Sequence, residues 1–267
     1  MKKHVYILYT PIMSMKIHII NMDKDRDRWN RCSELLQRKG FNFERFPGID
    51  ISRVDLRPYR TKGRTKGQLG CSISHRTLWK SMIANDMPWM IIAEDDVVPE
   101  CDMEQMKHTI DQMPTDTDML HFGCTNNLWG SCKRKRSFQD GFSYLTKFSG
   151  THCYLITNKG ARKYFARWGN DISIPIDIQL AKTKLVVYEP RKPLATHELM
   201  TGCSSTIAEG HGFMCVFDKV ELVDKRSLGF VLMYPLLPYG FSVLHLLQCL
   251  CFLCLLALFV RYRFRIK

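Results

Sequence analysis

From Met15 onward, short stretches of alternating or continuous apolar residues are interleaved with stretches in which apolar residues recur every three or four positions. The first pattern reads as strand and the second as helix, so the chain predicts an α/β domain with a largely parallel sheet. KIHIIN, ending at Asn21, reads as a first buried strand. Trp29, Cys32, Leu35 and Leu36 follow at helical spacing, and the pattern stops at Gly40, which suits the position just past a helix end. FNFERF, residues 41–46, alternates as a second strand. Residues 52–68 form a polar loop that carries Arg57, Arg60, Lys62, Arg64 and Lys66 with two glycines, a backbone free to move unless a ligand orders it.

Ser72 can cap a helix whose apolar face is His75, Leu78, Trp79, Met82 and Ile83. WMIIA, residues 89–93, is a continuous apolar strand, and Glu94, Asp95 and Asp96 stand at its carboxyl end, where open α/β sheets place their ligands. Met103, Met106, Ile110 and Met113 make another helical stripe, ended by Pro114, before the strand MLHF. The basic run KRKR at 133–136 reads as a solvated or phosphate-facing loop. HCYLIT is a strand that enters a helix striped by Ala161, Tyr164, Phe165 and Trp168 and closed by Gly169. Beyond LVVY, residues 185–188, the pattern is irregular to about Asp224, and no internal repeat is visible.

No charged residue occurs between Arg226 and Arg261, and Phe241 to Val260 is long enough as a helix to cross a hydrocarbon core of about 30 Å. A single-pass transmembrane helix is expected there. The organisation read from the sequence is an N-terminal extension (1–14), a main domain (15–207), a connecting segment (208–240), the membrane helix (241–260) and a basic tail (261–267). The tail RYRFRIK favours the cytosolic side, whereas the N-terminus shows no clear export signal. An endomembrane (ER or Golgi) or host-derived membrane is expected, with the side of the domain open.

Composition narrows the partners. The 267 residues carry 39 Lys and Arg against 26 Asp and Glu, a formal charge of +13, so the partner is expected to be anionic. Hydrophobic residues at 45% and charged residues at 24% exclude wholesale disorder and predict a packed core. Nucleic acid is set aside, because the aromatic residues fall mostly on core stripes and are not interleaved with the basic loops. Three of the 11 cysteines lie in the apolar C-terminal run and the rest are scattered without a C-x-x-C pair, so most read as small buried side chains.

The acidic triplet is the strongest chemical feature. Adjacent carboxylates at a strand end repel one another unless a cation is near, and in extended backbone Glu94 and Asp96 share one face while Asp95 takes the other. Two converging oxygen donors suit Mn²⁺ or Mg²⁺, with open positions for diphosphate oxygens; a solvated acidic turn is the plainer alternative. Transfer to a hydroxyl also needs a general base. Asp177, in SIPIDIQL, stands after a proline-set turn among apolar residues and is the candidate, with capping of the helix after it as its alternative role. His75 four residues after Cys71, and His152 before Cys153, match no zinc motif. Ser204 and Ser205 lack a nucleophile elbow, and Gly210 to Gly212 is too short for a dinucleotide fingerprint.

Five segments in order, INMDKDRDRW (20–29), KGQLGCSISHRTLW (66–79), MIIAEDD (90–96), GTHCYLITNKGARKYF (150–165) and PIDIQL (175–180), resemble glycosyltransferase family 25. That family includes bacterial lipooligosaccharide galactosyltransferases and procollagen hydroxylysine galactosyltransferases. The resemblance implies a GT-A-type nucleotide-sugar fold, an inverting mechanism, and UDP-galactose with Mn²⁺. By position it places Asn21, Asp23, Arg26 and Arg28 beside the nucleotide and Gly70, Cys71, Ser74 and His75 on the next wall. It makes Glu94, Asp95 and Asp96 the metal and diphosphate motif with Asp96 as first ligand, sets Gly150 and Thr151 by the sugar or acceptor, and makes Asp177 the base or a further metal-site carboxylate. His152 and Cys153 depart from the family's G-T-x-A-Y pattern. The function expected is metal-dependent transfer of a hexose, galactose first, from a UDP-sugar to a glycan, glycolipid or protein hydroxyl. The alternative is a membrane-anchored relative that binds the nucleotide sugar without turnover.

Overall fold

In the computed structural model, residues 15–124, 132–136, 141–148 and 150–197 are described. β1 (Ile17–Asn21) alternates as the sequence predicts, with Ile17 and Ile19 buried. α1 (Arg26–Arg38) buries Cys32 and Leu36 and leaves Leu35 exposed. It ends where expected: the Gly40 and Phe41 amides donate to the Gln37 and Leu36 carbonyls and close the last turn. β2 (Phe43–Pro47) follows.

α2 (Lys66–Ala84) begins six residues before Ser72, which lies buried inside it. Thr65 is the cap. Its hydroxyl accepts from the Gln68 amide while the Gln68 side chain accepts from the Thr65 amide, and this reciprocal pair starts the helix inside what the sequence reads as loop. The early turns bury Leu69 and Ile73 against Ile172, an apolar patch apart from the main stripe. The basic loop before α2 is pinned as well, because the Arg60 amide donates to Asn170 and the Arg60 carbonyl accepts from Ile172.

β3 (Trp89–Glu94), β4 (Val97–Pro99), α3 (Met103–Asp111) and β5 (Met119–His121) come next. β6 (Lys133–Arg136) is a strand where a loop is expected from the KRKR run. It pairs with β7 (Phe142–Lys147), and the Arg134 guanidinium meets the buried Glu189 carboxylate, a neutralising partner 55 residues away that no local pattern reveals. β8 (Cys153–Thr157), α4 (Asn158–Trp168), α5 (Ile176–Lys182) and β9 (Val187–Pro190) follow the expected order. β10 (Ala195–His197) pairs with β4 inside the stretch expected to be irregular. A disulfide joins Cys124 and Cys132, so these two are not the plain buried thiols that the scattered cysteines suggest, whereas Cys32, Cys101 and Cys153 are.

Among the described residues the main sheet has the order β2-β1-β3-β8-β5-β9-β7-β6. It is mixed, where a largely parallel sheet is expected: β1 runs parallel to β2 and β3, and β5 to β9, while β8 is antiparallel to both of its neighbours. Burial on both faces explains the continuous apolar run of β3. Ile91 and Ala93 meet the core that includes Cys32, Leu36 and Met106, and Met90 and Ile92 meet the core around Trp79, Tyr164 and Leu180. Trp79 is fully buried, and truncating such a side chain to alanine costs about 3–5 kcal/mol. Arg76, also buried, donates to the Gly169 carbonyl and the Tyr164 hydroxyl and lies over the Tyr164 and Phe165 rings, which ties α2 to α4.

This topology positions the site. Parallel pairing of β1 with β3 sets Ile20 opposite Glu94, so the two carboxyl ends adjoin. Antiparallel β8 brings its amino end to the same place, where the Glu94 amide donates to the His152 carbonyl. No helix among the described residues is long and apolar enough to cross a membrane, and the expected span 241–260 lies outside them, as do the extension 1–14 and the tail.

Candidate functional site

The sheet end where β1, β3 and β8 meet has two sides. On the α1 side, Asp95 is held from two directions: the Arg28 guanidinium donates to it, and Asn21 Nδ2 donates to Asp95 Oδ2 at 2.7 Å. Asn21 also donates to the Asp25 carbonyl and accepts from Arg45 Nε at 2.7 Å, which leaves it buried and fully engaged. Arg45 continues to Asp23 Oδ1 at 2.6 Å. Burial raises the Asp95 carboxyl above its ordinary range against the pull of Arg28 and Asn21. Burial lowers Arg28 too, but Asp95 and Asp96 outweigh it and leave the guanidinium raised. Asp23 and Arg26 stand exposed at the rim.

On the α2 side the carboxylates have only distant or partial cationic partners. Glu94 accepts from the Thr151 hydroxyl and faces His75 Nε2 at 3.5 Å. Burial opposes its ionisation, but His75, Thr151 and His152 prevail and hold it at about 2. Asp96 goes the other way. Burial first, then the charges of Glu94 and Asp95, push it up to about 7 against the attraction of Arg28, 3.8 Å away. Asp96 Oδ1 is buried and makes no hydrogen bond among the described residues.

Asp177, in the first turn of α5, accepts from its neighbour's amide, Ile178 N, at 2.8 Å and from Gly150 N at 3.4 Å. The cap position of α5 is Pro175, so Asp177 is not the cap. Gly150 adopts φ +83°, a conformation that side-chain-bearing residues rarely take, and its carbonyl accepts from His121 Nε2 at 3.1 Å. Residues 150 and 151 therefore bridge Asp177 to Glu94. Cys71, half-buried on α2, has its thiol raised far above the ordinary range by burial and by the charges of Glu94, Asp177 and Asp96.

Two residues expected on this wall hold the fold together. A Cβ on Gly70 would stand 2.6 Å from the Ile49 carbonyl oxygen, so α2 lies directly on the chain after β2. Ser74 Oγ donates to the Gly70 carbonyl at 2.7 Å and accepts from the Ile49 amide at 2.9 Å. His75 is fully buried, with Nδ1 2.8 Å from the Tyr154 hydroxyl, which accepts from Trp79 Nε1 at 3.1 Å. Ligand atoms of Cys71, His75 and Glu94 all lie within 4.8 Å of one another.

Arg45, His121 and Tyr154 are the residues that sequence reasoning passed over. Each is a polar group on a strand, and only the alternation of Arg45 in FNFERF marks it as pointing away from the core. The donor set fits a divalent cation. A buried, unpartnered Asp96 oxygen beside an ionised Glu94 is relieved of repulsion by positive charge, and an all-oxygen set suits a hard ion.

Comparison with known proteins identifies a family. A family model described as "Glycosyltransferase family 25 (LPS biosynthesis protein)" matches residues 14–180, over half of the chain. A glycosyltransferase 25 family member of Aedes aegypti is 26% identical over 196 residues, covering 60% of this chain and 29% of that protein. Human procollagen galactosyltransferase 2 is 30% identical over 133 residues, covering 40% and 20%. Human "inactive glycosyltransferase 25 family member 3" is 26% identical over 141 residues, covering 49% and 22%. The chain thus spans less than a third of the length of these relatives. The crystal structure of A197 from STIV aligns with 70% of this chain and 87% of that one at 13% identity, with a TM-score of 0.45, too loose a match to carry an argument.

Proposed function

The chain belongs to glycosyltransferase family 25, and from that premise we propose that it moves a hexose, galactose first, from a UDP-sugar to a hydroxyl of a glycan, glycolipid or protein, with inversion, on a GT-A-type fold. The observation that carries this reading is the meeting of Asp177, from α5, and Glu94, from the end of β3, on adjacent residues Gly150 and Thr151, beside Asp96 with its buried unpartnered oxygen. Nothing in packing requires three carboxylates there.

Asp177 is the base in this reading: it takes the proton of the acceptor hydroxyl as that oxygen attacks the anomeric carbon and the bond to the UDP oxygen breaks. The Gly150 and Ile178 amides fix its carboxylate while leaving lone pairs free. Asp96 and Glu94 are the residues that would hold Mn²⁺ or Mg²⁺; a further donor to that ion is the alternative role of Asp177. Such an ion supplies charge that stabilises the departing diphosphate. Asp95, fastened to Arg28 and Asn21, keeps the strand end in place. The uncharged run 241–260 supports a membrane-adjacent acceptor; retention of the full chain in membranes after an alkaline wash would test it.

The test is UDP release by the full chain from a panel of UDP-sugars, with and without Mn²⁺. Release from one sugar is expected to need the ion, and Asp96→Asn and Asp177→Asn should each lower it by about 10²–10⁴-fold. A non-catalytic relative is the second reading, favoured by the family member named inactive. UDP-sugar binding without release, with acceptors of all three classes present, would establish it, and absence of binding would sink both.

A further inference from the structure

We propose that Cys71, His75 and Glu94 form a site for a borderline divalent cation of the zinc class, distinct in donor chemistry from the oxygen-only set of Glu94 and Asp96. Cys71 and His75 are four residues apart on α2, so they lie one turn apart on the same face, and Glu94 arrives from the end of β3. Their ligand atoms lie within 4.8 Å of one another.

The 3.5 Å between His75 Nε2 and Glu94 Oε1 is informative. It is too long for a good charged hydrogen bond, and Nε2 is buried with no hydrogen-bond partner among the described residues. Two donors on one tetrahedral ion, with bonds of about 2.0–2.3 Å, stand roughly 3.3–3.8 Å apart, so the spacing suits a shared cation. The other ring nitrogen is already engaged by the Tyr154 hydroxyl, which Trp79 fixes in turn; a metal-bound histidine needs this kind of outer support.

Sulfur, nitrogen and oxygen together favour Zn²⁺ or Co²⁺ over Mg²⁺ and Mn²⁺. Binding converts the Cys71 thiol to thiolate and releases its proton to solvent, and three protein donors leave a fourth position exchangeable. Because Glu94 belongs to both donor sets, zinc occupancy withdraws it from Asp96. The site does not depend on the transferase reading.

Cobalt titration of the full chain tests it. Expected are a thiolate-to-cobalt charge-transfer band and tetrahedral ligand-field bands, displaced by one equivalent of Zn²⁺, lost in Cys71→Ser and retained in Asp177→Asn. Loss of an outer-shell partner alone costs about 10–100-fold in affinity, so Cys71→Ser should cost at least about 100-fold in Zn²⁺ binding. Should that variant fail to fold, Glu94→Gln, similar in size, should weaken the band while the circular dichroism stays unchanged. Absence of the band in the parent chain, or an unchanged band in Cys71→Ser that places the ion on another cysteine, overturns the site. UDP release is scored separately, so failure of one reading is not failure of the other.

Discussion

Asp95 and Asp96 are neighbours at one strand end, and although Arg28 reaches both, the rest of their surroundings differ. Asp95 faces α1, where Arg28 and Asn21 occupy both of its oxygens, and Arg45 secures Asn21 behind it. Asp96 turns to the α2 side, where one oxygen has no hydrogen-bond partner among the described residues, Arg28 reaches the other only at 3.8 Å, and burial with the charge of Glu94 outweighs that attraction. The pair shows that an acidic run is not one chemical unit. β3 stops at Glu94, and the turn through Asp95 and Asp96, where extended backbone is expected, sends one carboxylate into a structural joint and leaves its neighbours for ligands.

That contrast can be broken most forcefully at Arg28. Arg28→Ala leaves Asp95 as poorly matched as Asp96, and with both partners largely buried the expected loss is about 2–4 kcal/mol, read from urea unfolding. A loss below about 0.5 kcal/mol would mean that the joint is as loosely held as the cleft.

The pH dependence of stability sharpens the same contrast. Asp96 ionises near 7 in the folded chain against 3.8 for an ordinary aspartate, so its contribution favours folding fully below about pH 4 and is lost as pH rises through 7. Glu94 is the reverse, held at about 2 against 4.5, and its contribution is present above pH 4.5 and lost as pH falls toward 2. Parent and Asp96→Asn compared at pH 5 and pH 7.5 isolate Asp96, because the histidines that titrate in that window are common to both. Asp96→Asn should be more stable than the parent by on the order of 1–2 kcal/mol at pH 7.5 and by less at pH 5. An equal effect at both would show that Asp96 is not strained in the free chain.

The smallest effect is expected at the start of α2, the wall that carries Cys71 and His75. Thr65→Ala removes one half of a capping pair, for a loss of about 1 kcal/mol in thermal or urea unfolding. The Asp95 joint should be untouched, so additivity with Arg28→Ala is expected, and strong coupling between the two would argue that the sides of the sheet end are one unit.

What could be read from the sequence was what is local. The strands that became β1, β3 and β8, and the close of α1 at Gly40, follow from periodicity and one suitable residue. What escaped depends on distant partners. α2 begins at Thr65 because Ile172 supplies a surface for Leu69 and Ile73, and KRKR becomes a strand because β7 and Glu189 receive it. The reversals of β8 and β7 make the sheet mixed, and no run of residues encodes a strand's direction. The same held at the site. Glu94, Asp96 and Asp177 could be named from residue type and context, whereas the bridge through Gly150 and Thr151, and the support from His121 and Tyr154, arise only when β8 is placed.

The central place of β8 has a further consequence, for synthesis. β3 and β5 are made first, yet each takes its antiparallel neighbour from residues 153–157. Until Thr157 emerges from the ribosome, two apolar strands present open edges to whatever is nearby, and closing the sheet requires pairing across a long stretch of chain, which is intrinsically slow. The nascent protein therefore has an interval of exposed strand edges, and a synonymous change that stalls translation between His121 and Cys153 is expected to lengthen it and raise the aggregated fraction of newly made chain.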